Sequence, residues 1–224
     1  MSDARAALII LGKELRLELR TRELLSATVI FALIVVVLFN FAFDPSAADS
    51  RRYGPGLLWI AFLFAGSLML NPSFARERSN DTLDALRLAP VSPFAILSGK
   101  MVANFLFMAI VEIILVPTFS ILYNVSLLPV LGDLIFVIAL GTAGLVITGT
   151  VFSGISAHAR MRELLLPLLL LPVLAPLLIA AVEATSSLLA DPPELDRTWV
   201  TFLAGFDIVF LTASWLLSDF LVEE

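Results

Sequence analysis

The sequence predicts an all-α integral membrane protein with six transmembrane helices. The chain is 59% hydrophobic and has a mean hydropathy of +0.99. Its apolar residues form long uncharged blocks, such as LLSATVIFALIVVVLFNFAF over 24–43. A helix of that length, rising about 1.5 Å per residue, can cross the roughly 30 Å of hydrocarbon in a bilayer. Because the blocks are continuous and do not alternate with polar residues, they indicate helices rather than the strands of a membrane barrel.

Six segments fit this pattern and together form a single transmembrane domain over residues 1–224. The predicted spans are about 24–43, 54–74, 101–123, 131–155, 164–183 and 199–221. The first is longer than the apolar core of a signal peptide and is followed by further spans, which argues against a cleavable leader. An even number of spans places both termini on the same side of the membrane.

The distribution of basic residues predicts which side that is. Eleven of the 14 Lys and Arg residues fall in the N-terminal segment, in 75–100 or in 156–163, and three fall in the alternate loops. Cytoplasmic loops carry the excess of Lys and Arg in membrane proteins. Both termini and the segment 76–100 are therefore predicted to be cytoplasmic.

Residues 1–22, before the first span, show an amphipathic helical pattern. The apolar positions at helical spacing are Leu8, Leu11, Leu15 and Leu19, and the cations on the other face are Lys13, Arg16 and Arg20. This pattern predicts an N-terminal interfacial helix whose cations lie near anionic headgroups. The alternative is a straight cytoplasmic extension of the first span.

Several classes of chemistry are excluded or disfavoured by composition. The chain has no Cys, and its one His, His158, cannot build a metal site alone. The nearest approach to a phosphate-binding loop is at Gly99-Lys100, but Phe94 and Met101 occupy the positions of the first Gly and the hydroxyl residue. The formal charge of -6 argues against nucleic-acid binding. We expect no catalytic, metal or cofactor residues, and any ATP hydrolysis belongs to another chain.

Three of the acidic residues in the predicted spans are candidates for a function: Glu112, Glu183 and Asp207. Ionisable groups at membrane depth are costly and usually face a cavity or a partner. One interpretation is a proton or substrate path, and the other is hydrogen bonding between helices. The second is favoured for Glu112, since no basic residue falls inside a predicted span.

The fourth span is rich in small residues at a spacing of four. Gly144 with Thr148 and Gly149 with Ser153 are such pairs. Small residues at this spacing allow helices to approach closely. They predict tight packing within the bundle, with a contact between subunits as the alternative.

The segment 76–100, RERSNDTLDALRLAPVSPFAILSGK, is a polar island that holds seven of the 34 charged residues. Ser79 or Asn80 can cap a short helix that ends at Pro90, and Ser92-Pro93 is a cap and first-turn pair that opens the next helix. A helix as short as the one from Ser79 or Asn80 to Pro90 is unstable alone in water. It needs a surface, either the underside of the bundle or a groove on a partner.

Three stretches of the sequence resemble the haem exporter protein B (CcmB) family. They are PGLLW over 55–59, RERSNDTLDALRLAP with the downstream GK, and LLLPLLLLPVLAPLLIA over 164–180. The motif residues outside the island are Pro55, Gly56, Trp59, Pro172 and Pro176. The resemblance runs over almost the whole chain, in order. Relatives often have Gly where this chain has Asp81, which loosens the cap assignment.

The resemblance implies a fold like that of ABC-2 type permeases and a role as membrane subunit of an ABC-type complex in bacterial cytochrome c maturation. Thr82 to Ala89 would be a coupling helix that docks on a separate ATPase subunit, CcmA. The ATPase-coupling residues would be Glu77, Asp81, Thr82, Leu83, Asp84, Leu86, Arg87 and Pro90, with Leu83 and Leu86 as the apolar anchors.

Further implications concern partners and location. The partners would be CcmC, CcmD and the haem chaperone CcmE in the bacterial inner membrane, with ATP and Mg²⁺ held by CcmA. Haem would be handled by the complex, and no cofactor is expected in this chain. Because an ATPase dimer has two grooves, two copies of this chain would fill both. The rival functions are an ABC-2 type exporter of a lipid, drug or polysaccharide, and a membrane scaffold that transports nothing.

Overall fold

The computed structural model describes residues 3–43, 47–70, 91–156 and 162–223, and all regular structure within these ranges is helical. The α-helices there are α1 (Asp3–Thr21), α2 (Glu23–Phe43), α3 (Ala47–Leu70), α4 (Pro93–Leu122), α5 (Leu131–Ser156), α6 (Arg162–Leu188) and α7 (Arg197–Glu223). A 3₁₀ turn at Leu128–Val130 precedes α5. The predicted coupling helix lies outside the described residues.

Helices α2 to α7 are each long and apolar enough to cross a membrane, so the prediction of a six-span, all-α membrane protein is confirmed. The largest difference from the predicted boundaries is in α4, which begins at Pro93, eight residues before the predicted span. Ser92 explains this start, because its Oγ accepts a hydrogen bond from the backbone N of Ala95 at 3.2 Å and Pro93 occupies the first turn. The predicted Ser92-Pro93 cap is therefore confirmed.

Helix α5 lies at the centre of the bundle and packs against α3, α4, α6 and α7. Its glycines allow these close approaches: a Cβ added to Gly141 would lie 2.2 Å from the indole of Trp59, and one added to Gly149 would lie 2.3 Å from Leu70. At both glycines, a large side chain of α3 packs directly against the backbone of α5. The predicted tight packing of this span within the bundle is confirmed.

Helices α1 and α2 are separated by Arg22, which has a φ of 53°. Helix α1 packs along the first turns of α4, where Ala6 and Ile10 are buried. Gly99 permits this contact, because a Cβ there would lie 2.7 Å from the carbonyl oxygen of Ala7. A straight extension of the first span is therefore wrong. The placement of α1 at the membrane interface stays a prediction.

Candidate functional site

The three acids singled out from the sequence do not form one site. Glu112 lies on α4 and is 6% exposed, Asp207 lies on α7 and is half-buried, and Glu183 lies on the exposed surface of α6. Glu112 and Asp207 both reach α5, but at different neighbours, Thr142 and Gly144. Positions two apart in a helix point in nearly opposite directions, so α5 separates the two carboxyl groups.

Glu112 is held by a hydrogen bond between helices. The hydroxyl of Thr142 on α5 donates to Oε1 of Glu112. Two turns towards the start of α4, Nδ2 of Asn104 donates to Oγ1 of Thr150 at 3.1 Å. These two bonds form a polar seam between α4 and α5, within an otherwise apolar core. Glu112 therefore takes part in a hydrogen bond between helices, which is the second of the two interpretations. The structure does not test a transport role for this residue.

The same carboxyl borders a groove of about 470 Å³ between α4 and α5. The groove is lined by Phe105, Ala109, Glu112, Ile113, Val116, Pro117, Leu131, Leu134, Ile135, Ile138 and Ala139. Glu112 is the one ionisable residue in this lining. The groove can accept apolar chains, and the carboxyl offers them a hydrogen-bond acceptor.

Asp207 is placed differently, because its carboxyl packs against the backbone of α5. A Cβ on Gly144 would lie 2.6 Å from Oδ1 of Asp207 and 2.7 Å from Leu177. Oδ1 is buried and finds no hydrogen-bond partner among the described residues. A small residue at position 144 is therefore required for Asp207 to reach the bundle.

A buried ion pair joins α1 to α4 and was missed by sequence reasoning. Nζ of Lys100 lies 3.0 Å from Oε1 of Glu14, and Lys100 is 1% exposed. Burial by itself raises the pKa of Glu14, but the positive charges of Lys100 and then of Lys13 outweigh it and hold that pKa below its usual value. Lys100, the last residue of the segment 76–100, lies in the second turn of α4. In the sequence, Lys100 stands out only as part of the GK pair, which gives no indication that its partner lies 86 positions away.

The family-motif residues of α3 and α6 have structural positions. Trp59 is 1% exposed, and its Nε1 donates to Oγ1 of Thr185 on α6 at 3.0 Å. Pro55 is buried inside α3, two turns after that helix begins. Gly56 is half-buried beside it, and Pro172 and Pro176 are exposed on one face of α6. These residues shape the bundle and bring no chemical group to Glu112.

The predicted ATPase-coupling residues, from Glu77 to Pro90, lie outside the described residues, as does His158. Within the described ranges no group of three His, Cys, Asp or Glu side chains could hold a metal ion. What the structure does describe is the helix that follows the island and its attachment to α1.

Comparison with known proteins identifies the family. The sequence matches the family described as "CcmB protein" over residues 5–220. The chain belongs to the CcmB family. Heme exporter protein B of Rhodobacter capsulatus is 31% identical over 174 residues, which cover 78% of this chain and 79% of that protein. Heme exporter protein B of Paracoccus denitrificans is 30% identical over 204 residues, 90% of this chain and 91% of the relative. The protein of the same description from Bradyrhizobium diazoefficiens is 27% identical and covers 82% of each chain.

Proposed function

We propose that this chain is the membrane subunit of an ABC-type complex that serves haem delivery in cytochrome c maturation. The observation that carries this proposal is the family match over residues 5–220, together with relatives of similar length that are described as heme exporter protein B. The six apolar helices supply the membrane domain that such a subunit needs.

The energy for this function comes from a separate ATPase subunit of the CcmA type. The sequence contains no P-loop, and residues 76–90 of the polar island have the capping residues and the Leu83–Leu86 edge that a docking helix needs. The attachment of α4 supports a coupling role for the island. Because Lys100 and Glu14 tie the first turns of α4 to α1, a push on the segment before Pro93 would move two helices together.

Haem is held elsewhere in the complex, on subunits of the CcmC and CcmD types, and ATP hydrolysis releases a haem-loaded chaperone of the CcmE type. This assignment follows from the ligand content of the chain, which has no Cys and one His in a cationic segment. The complex lies in the bacterial inner membrane with both termini of this chain in the cytoplasm, and two copies of the chain meet the two grooves of an ATPase dimer.

Substitutions in the island test the proposal. Leu83→Asp and Leu86→Asp place a charge on the apolar edge, and we expect both to abolish co-purification of the ATPase subunit and to lower the level of mature c-type cytochromes. The matched control is Leu128→Asp, since Leu128 is 81% exposed in the turn at the opposite end of α4 and α5. That variant should retain the ATPase.

Three outcomes would contradict the proposal. Unchanged ATPase association in Leu83→Asp and Leu86→Asp would remove the island as the coupling element. Normal cytochrome c levels despite loss of the ATPase, with accumulation of another compound, would favour the rival exporter of a lipid, drug or polysaccharide. Normal cytochrome c levels without such accumulation would favour a scaffold.

A further inference from the structure

Helix α1 has a fixed rotation about its own axis. Its inner face packs on α4 through Ala6, Ile10 and the pair of Glu14 with Lys100. Gly99 brings the backbone of α4 up to that of α1, so a rotation of α1 would drive Ile10 or Ala7 into it. The side of α1 that faces away from the bundle is therefore set by the fold and is the same in every molecule.

That outer side carries two adjacent stripes. Leu8 and Leu19 are 65% and 64% exposed, and they lie about 20° apart around the helix because eleven residues make just over three full turns. Arg5, Arg16 and Arg20 are also exposed and lie roughly 60° to 120° further round from Leu8, in an arc that also holds Ile9, which is 55% exposed. An exposed apolar stripe beside a basic stripe is the pattern of a helix that lies in the membrane interface.

The sequence predicts that α1 lies at the membrane interface, and the connections of α1 to its neighbours support this. After the single residue Arg22, the chain continues into α2, and α1 is clamped to the first turns of α4. Both α2 and α4 are long and apolar enough to span the bilayer. We therefore expect α1, held beside the starts of two spans, at the depth where headgroups and the first methylene groups meet. The exposed leucines can then enter the hydrocarbon while the arginines remain among the headgroups.

We propose that Arg5, Arg16 and Arg20 bind the phosphates of anionic lipid headgroups along the outer side of α1, with Leu8 and Leu19 against the acyl chains. The guanidinium group is suited to this ligand because its planar donors match two oxygens of one phosphate. Lys13 belongs to a different interaction, since its Nζ lies 3.3 Å from Oε1 of Glu14. The site rests on the geometry of α1 and is independent of the proposed haem function.

Lipid binding to the purified full-length chain tests this proposal. Native mass spectrometry in detergent would measure the apparent Kd for dioleoyl phosphatidylglycerol and for dioleoyl phosphatidylcholine, which share their acyl chains. The wild type should prefer the anionic lipid. A basic residue near an anionic membrane surface contributes about 1 kcal/mol, or roughly fivefold in Kd. The double variant R16Q/R20Q should therefore bind phosphatidylglycerol about 25-fold more weakly, with little change for phosphatidylcholine.

The matched control is R51Q/R52Q, which removes the same charge from two exposed arginines near the start of α3, at the other end of α2. This control should bind phosphatidylglycerol as the wild type does. The proposal is overturned if R51Q/R52Q loses as much affinity as R16Q/R20Q, because net charge would then explain the preference. Equal affinity of the wild type for the two lipids would overturn it as well. Equal thermal unfolding of all three proteins confirms that the comparison is between folded chains.

Discussion

Two of the described regions that bury charge treat it differently. At the joint between α1 and α4, Lys100 is almost fully buried and has the carboxylate of Glu14 at 3.0 Å. Inside the bundle, Glu112 receives a hydroxyl from Thr142, and Asp207 packs on the backbone at Gly144. Opposite charges meet at the joint, whereas hydroxyl groups and close backbone contacts surround the carboxyl groups in the bundle.

The difference indicates what each region depends on. A buried ion pair is strongly weakened when one partner is removed, because the other charge is left behind in a poor solvent. The stability of a closely packed bundle depends on the shapes of its side chains, since an added methylene group would clash with its neighbours. The joint should therefore be sensitive to loss of charge, and the bundle to added volume and to loss of single hydrogen bonds.

Removal of the buried cation should have the largest effect. Lys100→Met is expected to lower the free energy of unfolding by about 3 kcal/mol, because the carboxylate of Glu14 is left half-buried without that cation. Thermal unfolding in detergent measures this. The double variant E14Q/K100M should recover part of the loss, since it removes both charges together.

Lys13→Met is the matched control, because Lys13 approaches the same carboxyl oxygen at 3.3 Å from a side chain that is 43% exposed. An exposed pair of this kind contributes less than about 1 kcal/mol. The joint would not depend on buried charge if Lys100→Met and Lys13→Met unfolded alike.

The low pKa of Glu14 predicts that the stability from this pair is present at neutral pH and is lost as the pH falls below about 4.3.

Added volume in the bundle should have the second largest effect. Gly141→Ala is expected to cost about 2 kcal/mol, because the new Cβ would lie 2.2 Å from the indole of Trp59. Trp59 cannot withdraw without breaking its hydrogen bond to Thr185. The same thermal unfolding assay measures the loss.

Gly132→Ala controls for the change of residue type within the same helix. A Cβ at Gly132 meets nothing within 4 Å, so this variant should be neutral or slightly stabilising, as Ala favours helix. Equal stability of the two variants would show that the contact between α3 and α5 is not tight.

The six spans and the start of α4 could be predicted because the information for them is local. Long uncharged blocks and the Ser92-Pro93 pair specify a helix within a few residues of the chain. The α1–α4 joint could not be predicted, since Glu14 and Lys100 lie far apart in sequence and each alone resembles a solvated charge. The inner face of α1 was also not predicted, because periodicity identified the face of Leu8 and Leu19, which remains exposed, while Ala6 and Ile10 turn inward.

The candidate site shows the same limit. Composition identified Glu112 and Asp207 as unusual, but it could not identify their neighbours, which depend on the register of α5 against α4 and α7. A shift of α5 by two residues would exchange a hydroxyl for a glycine beside Glu112. The bonding of a buried carboxyl is thus a property of helix packing and not of its own sequence context.

Loss of one hydrogen bond in the bundle should have the smallest effect. Thr142→Val keeps the shape of the side chain and removes the hydroxyl that donates to Glu112, so we expect a loss of about 1 kcal/mol in thermal unfolding. Thr148→Val is the matched control on the same helix, because Oγ1 of Thr148 is buried and finds no partner among the described residues. Its removal should be neutral or stabilising, since burying an unpaired hydroxyl costs free energy and valine carries no such group. If the two variants lost equal stability, the hydrogen bond to Glu112 would not hold α4 against α5. The bundle would then be held by the fit of its side chains alone, with no contribution from this bond.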